Sequence, residues 1–136
     1  MSDLVQAKNL LDAAQRDLNA TTGMLESKLF ADEIFGFHVQ QTIEKSLKAW
    51  LSILGEVYPL THDLSLLLRR LEGQGCDISA YIELSEFSAF ARQIRYMGLG
   101  KDEEAIERQR TLEQIERLYF FVESILKSSI AAKQQS

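Results

Sequence analysis

The chain reads as an all-α protein, an up-and-down bundle of four to five antiparallel helices. Three observations carry this expectation. Apolar residues recur at steps of three and four through most of the sequence, the repeat of one helical face. One proline and seven glycines in 136 residues leave long stretches without a helix breaker. No segment alternates apolar and polar residues as a half-buried strand does, and no internal repeat is present.

The first helix is expected over 3–20, DLVQAKNLLDAAQRDLNA, with Leu4, Ala7, Leu11, Ala14 and Leu18 on one face. Ser2 or Asp3 can cap it, and Thr21, Thr22 and Gly23 end it. Residues 24–31 fit either a helical turn or an irregular connection. A second helix is expected from about Asp32 to a stop at Gly55, with Val39, Ile43, Leu47, Trp50, Leu51 and Leu54 as its core stripe. The connector EVYPL leads to a third helix, HDLSLLLRRLEG, capped by Thr61 and ended by Gly73 and Gly75. A fourth helix is expected from Ser79 to about Tyr96. In the last helix Asp102, Glu103 and Glu104 suit the positive N-terminal end, and Lys127 and Lys133 lie toward the other. Leu112, Ile115, Tyr119, Val122 and Leu126 form its seam, and the tail KQQS is expected to fray. The whole chain, 1–136, reads as one domain with its core over about 3–126. Short connections predict that consecutive helices are antiparallel neighbours.

Hydrophobic residues at 46% and charged residues at 26% are ordinary for a soluble chain, and no apolar run is long enough to span a bilayer. MSDLVQAKN lacks the apolar core of a secretion signal. Cys76 is the only cysteine, so neither an internal disulfide nor a thiol-rich zinc site can form, and a reduced cytoplasm is the expected setting. No metal-ligand spacing, glycine-rich phosphate loop or nucleophile elbow is present, so no metal, cofactor or catalytic residue is expected. The net charge of −5 argues against general coating of nucleic acid but leaves room for a local basic groove.

Beside the apolar stripe of the second helix, Gln41, Glu44, Lys45 and Lys48 share one flank. A solvated face of ion pairs between turns explains them equally well, at about 0.3–0.5 kcal/mol each. In FARQIRYMG, Arg92 and Arg95 stand one turn apart before Tyr96. Arginine forks suit phosphate or carboxylate and an aromatic can stack on a base, while charge complementing a helix C-terminus is the simpler account. His62 can donate to a phosphate at a helix N-terminus or hydrogen-bond across its loop. His38 reads as a core-edge histidine. Trp50 and the run Tyr119–Phe121 read as core, although three adjacent aromatics cannot face one direction, which offers one of them to a dimer or partner interface.

The order of these segments resembles the HEPN (higher eukaryotes and prokaryotes nucleotide-binding) domain family. Gln41, Glu44, Lys45, Lys48, Ala49 and Leu51 match its Q-x-x-E-K-x-x-K-A-x-L stretch. His62, Asp63 and Leu64 match T-H-D-L, Arg95 and Tyr96 match A-R-Y, and AKNLLDAAQRDL loosely matches the first helix. Met97 stands where the family often has proline. The ribonuclease branches of the family carry an arginine four to six residues before a histidine; here only Arg16 precedes His38 and His62, far outside that spacing. The resemblance therefore implies a non-catalytic module that binds a nucleotide, RNA or another phosphate-bearing ligand. Lys45, Lys48, His62, Arg92 and Arg95 would donate, Gln41 and Glu44 would position, and Tyr96 would stack. It also implies a minimal nucleotidyltransferase as partner, and a homodimer is expected. Two other readings stay open: a protein-interaction or dimerisation module of a toxin–antitoxin pair, and a divergent ribonuclease toxin using His62 with Arg92 or Arg95.

Overall fold

A computed structural model of the chain describes residues 3–25, 31–88 and 107–135. Within them lie four α-helices, one 3-10 helix and no strand. The first, α1, spans Leu4–Gly23 and is capped by Asp3, whose carboxylate accepts from the Gln6 amide at 2.9 Å. Ala7, Leu11, Ala14 and Leu18 are buried as the periodicity requires, with Leu4 half-buried at the end of the stripe.

The second helix, α2, spans Asp32–Ile53, with Asp32 and Glu33 in the first turn where backbone amides lack partners. It ends in a paired 6→1 and 5→2 arrangement: Glu56 N–H donates to Leu51 O and Gly55 N–H to Ser52 O. Gly55 has φ 82°, a left-handed conformation that costs little without a Cβ. Val39, Ile43, Leu47, Trp50 and Leu51 are buried, but Leu54 is 40% exposed. Its place on the stripe is lost because the helix stops one residue before it.

The third helix, α3, spans Leu64–Gly73. Its cap is Asp63, not Thr61: the Asp63 carboxylate accepts from the amides of Ser65 and Leu66, while Thr61 Oγ1 accepts from the Asp63 amide. Aspartate reaches two free amides of the first turn, and threonine one residue further out reaches only the cap itself. His62 therefore sits in the loop ahead of the cap, not in the helix. Gly75 repeats the closure seen at Gly55, with φ 87° and the same bonding pattern to Leu71 and Glu72.

The helix expected from Ser79 begins differently. Residues 79–81 form a turn tied by the Asp77 carboxylate to the Ser79 amide and hydroxyl, followed by a six-residue 3-10 helix, Ile82–Phe87. Ile78, Tyr81, Leu84 and Phe87 are all buried and step by three, the repeat of a 3-10 turn rather than an α-helix. The remainder of that expected helix, including Arg92, Arg95 and Tyr96, lies outside the described residues, as do Asp102, Glu103 and Glu104. The last helix, α4, spans Arg108–Gln135. Lys133–Gln135, expected to fray, are helical; no proline or glycine interrupts the preceding turns.

Contacts fix the directions. Asp3 N–H donates to Ser52 O and Asp17 meets His38, so α1 and α2 are antiparallel. Arg108 meets Asp32, and Phe121 packs edge-on to Trp50 at 5.1 Å, so α4 runs in the sense of α2. The connector 54–63 folds back along α2: His62 lies beside Glu44, and Gln74, at the far end of α3, bonds Glu56. The core sits where α1, α2 and α4 meet, around Ala14, Ile43, Leu47, Ile115, Leu118 and Val122. No described helix is long and apolar enough to cross a membrane.

Ile43 is wholly buried and Leu54 is not, which separates their expected effects. Ile43→Ala should lower unfolding stability by about 2–5 kcal/mol, and Leu54→Ala by no more than about 0.5 kcal/mol, as measured by urea denaturation.

Candidate functional site

The polar side chains of α2 gather on two seams rather than one. On the α3 side, Gln40, Glu44 and Lys48 follow each other at steps of four and stack along the helix. The Glu44 carboxylate has a side-chain exposure of only 6%. Its Oε1 accepts from Gln40 Nε2 at 2.8 Å and from His62 Nδ1 at 2.8 Å, and its Oε2 accepts from Lys48 Nζ at 3.0 Å. A carboxylate offers no proton here, so His62 Nδ1 must carry one and act as donor.

Further contacts lock the surrounding loop. Gln40 Nε2 also reaches His62 O at 3.4 Å, and Gln41 Nε2 donates to Gln40 Oε1 at 2.7 Å. The Lys48 ammonium lies 5.3 Å from the centre of the Tyr58 ring, and the Tyr58 hydroxyl accepts from Gln6 Nε2 at 3.2 Å. The connector is thus tied to both α1 and α2. The His62 ring is nevertheless 73% exposed, with Nε2 across the ring from the bonded Nδ1.

Burial pushes the Glu44 carboxyl up, but the hydrogen bonds from Gln40, His62 and Lys48, with the Lys48 charge, outweigh it and hold the group below the ordinary glutamate range. The ionised form is therefore the one the fold is built around. Lys48, largely buried itself, is matched by that charge and is not a spare cation.

On the α1 side stands a second cluster. Asp17, buried on the apolar face of α1, accepts from His38 Nδ1 at 2.9 Å through Oδ1 and from Lys45 Nζ at 2.5 Å through Oδ2. Lys45 therefore parts from Glu44 and Lys48, with which the flank reading grouped it: residue 45 turns 100° beyond residue 44, enough to change its neighbour from α3 to α1. His38 is the core-edge histidine its setting suggested. Of the eight residues singled out for ligand binding, Glu44, Lys48 and His62 come together, Gln41 joins through Gln40, and Lys45 stands apart. Arg92, Arg95 and Tyr96 are outside the described residues.

Sequence reasoning missed Gln40, Asp17 and Tyr58. Gln40 was signalled by its step of four to Glu44, and Asp17 by its place three residues after Ala14 on an otherwise apolar face. Nothing in the sequence pointed to Tyr58. No group of three or more histidine, cysteine, aspartate or glutamate side chains among the described residues can hold a metal ion.

Compared with known proteins, residues 7–133 match the family model of the HEPN domain. No curated protein and no solved structure matches the chain.

Removing Glu44 leaves the buried Lys48 ammonium without its partner, so Glu44→Ala should cost about 3–5 kcal/mol, with much of the loss recovered in Glu44→Ala/Lys48→Met. The pH dependence has a definite sign. A carboxyl held below its unfolded value contributes stability that is present above about pH 4.3 and lost as pH falls through the folded value. Acid unfolding followed by circular dichroism should therefore show a steeper loss below that point in the wild type than in Glu44→Gln.

Proposed function

Because the chain belongs to the HEPN domain family, we propose that it is a non-catalytic member that binds a nucleotide or another phosphate-bearing ligand at the surface around His62. The observation that carries this reading is the contrast within one hydrogen-bonded pair. A buried, ionised carboxylate holds an imidazole that is itself almost wholly at the surface. A purely internal latch has no need of an exposed ring, whereas a ligand-binding donor needs both a fixed orientation and an open side.

In this reading Glu44 positions His62, Gln40 and Gln41 brace Glu44, and Lys48 balances its charge. Lys45, on the neighbouring seam and held by Asp17, contributes field rather than direct contact. Arg92 and Arg95 complete the donor set and Tyr96 stacks on the base. A minimal nucleotidyltransferase is the proposed partner. Since Nδ1–H is engaged by Glu44, Nε2 can donate to a phosphate only from the doubly protonated ring.

A second reading, a dimerisation or toxin–antitoxin interface, draws support from one feature. Phe120 and Phe121 are 53% and 41% exposed on α4, next to each other and beside the equally exposed Ile82 side of the bundle through the Tyr81–Phe121 contact. Light scattering after size exclusion tests it: a dimer that Phe120→Ser converts to monomer supports the interface.

The nucleotide reading is tested by calorimetry with ATP and GTP. Binding should weaken by about tenfold, or about 1.4 kcal/mol, in His62→Ala, and should be stronger at about pH 6 than at about pH 8. A folded wild type that takes up neither nucleotide at millimolar concentration would falsify it.

A further inference from the structure

The third helix carries a feature that the His62 site does not use. Its core face is Leu64, Leu67, Leu68 and Leu71, all buried, so the helix presents Arg69 at the middle of its outer face and Arg70 on the flank. Both arginines are exposed. Neither has an acidic partner within ion-pair distance, although the chain has 20 acidic residues against 15 basic ones. Elsewhere the described cations are largely matched: Lys45 with Asp17, Lys48 with Glu44, Arg108 with Asp32, Arg110 with Glu83.

The acidic groups of the helix itself do not neutralise the pair. Asp63 is engaged with the amides of Ser65 and Leu66. Glu72 lies three residues after Arg69, but the order arginine-then-glutamate is the weaker one on a helix, and no ion pair forms. The C-terminal dipole accounts for a cation at Arg70, in the last turn. It does not account for two.

We propose that the outer face of α3 is a track for a single-stranded polynucleotide, entered at His62 and continued over Arg69 and Arg70. This rests on the reading of His62 as a phosphate donor and extends it from one phosphate to a chain of them. The seven residues from His62 to Arg69 cover about 10 Å at about 1.5 Å per residue. One phosphate group does not fill that span. A strand with a charge at every residue does, and arginine forks pair with successive phosphate oxygens. The ligand class is therefore an oligonucleotide, and mononucleotides engage only the His62 end.

Fluorescence anisotropy with a labelled single-stranded RNA of ten nucleotides tests the track across a salt series, with ATP titrated in parallel. The RNA should bind at least tenfold more tightly than ATP. Arg69→Gln/Arg70→Gln should remove that advantage and lower the salt slope by about 1.4, the release expected for two phosphate contacts on a single strand, while leaving ATP affinity unchanged. His62→Ala should weaken both ligands. An unchanged salt slope in the double variant, or RNA binding no tighter than ATP, overturns the track and leaves the His62 reading standing. RNA binding that depends on the arginines but ignores His62→Ala overturns a track entered at His62. A polyglutamate peptide competing as well as RNA assigns the face to acidic protein and overturns the polynucleotide. Loss of ATP binding by the wild type removes the His62 reading itself.

Discussion

A carboxylate cannot be buried without partners, and the arrangement around α2 follows from that constraint. Glu44 lies on the seam toward α3 with a charge that water no longer solvates, so three donors must come to it. Two arrive from its own helix, at four residues before and four after. The third, His62, comes from the connector, and reaching it forces that segment to fold back along α2 before α3 can begin. The placement of the third helix is thus a consequence of satisfying one ionised group. The same constraint acts on the opposite seam, where Asp17 gathers His38 and Lys45 and ties α1 to α2.

The two seams share a design. Each has a buried carboxylate with a histidine Nδ1 on one oxygen and a lysine of α2 on the other. They differ in what is left at the surface. His38 keeps about a quarter of its side chain exposed and packs edge-on to Phe37, whereas the His62 ring is mostly open. Similar bonding at the inner nitrogen therefore yields a structural tie in one place and a candidate binding group in the other.

Much of the bundle was legible in the sequence because apolar spacing and burial obey the same period. Ala7, Leu11, Ala14 and Leu18, and again Leu112, Ile115, Tyr119, Val122 and Leu126, are buried as their steps of three and four require. What escaped that reading was local competition and lateral choice. The segment after Asp77 carries enough apolar residues for an α-helix, but its step of three, together with the Asp77 turn, selects a 3-10 helix. Thr61 and Asp63 are both good caps by type, and only the reach of each side chain to the free amides decides between them. Lys45 looked like a neighbour of Glu44 because periodicity locates a flank but not the helix that packs against it. The family motifs marked Glu44, Lys48 and His62, but could not distinguish a lysine that meets ligand from one already neutralised by a buried carboxylate.

The sequence distances bridged by these contacts imply an order of assembly. Glu44 and His62 are 18 residues apart, whereas the bond from Arg108 to Met24 O, which docks the last helix, closes a loop of 84. The shorter closure is less costly in chain entropy by about 1.4 kcal/mol. The α1–α2 pair and the His62 latch rely on nearer contacts than the docking of α4, so a growing or refolding chain can complete the candidate site while its last helix is still undocked.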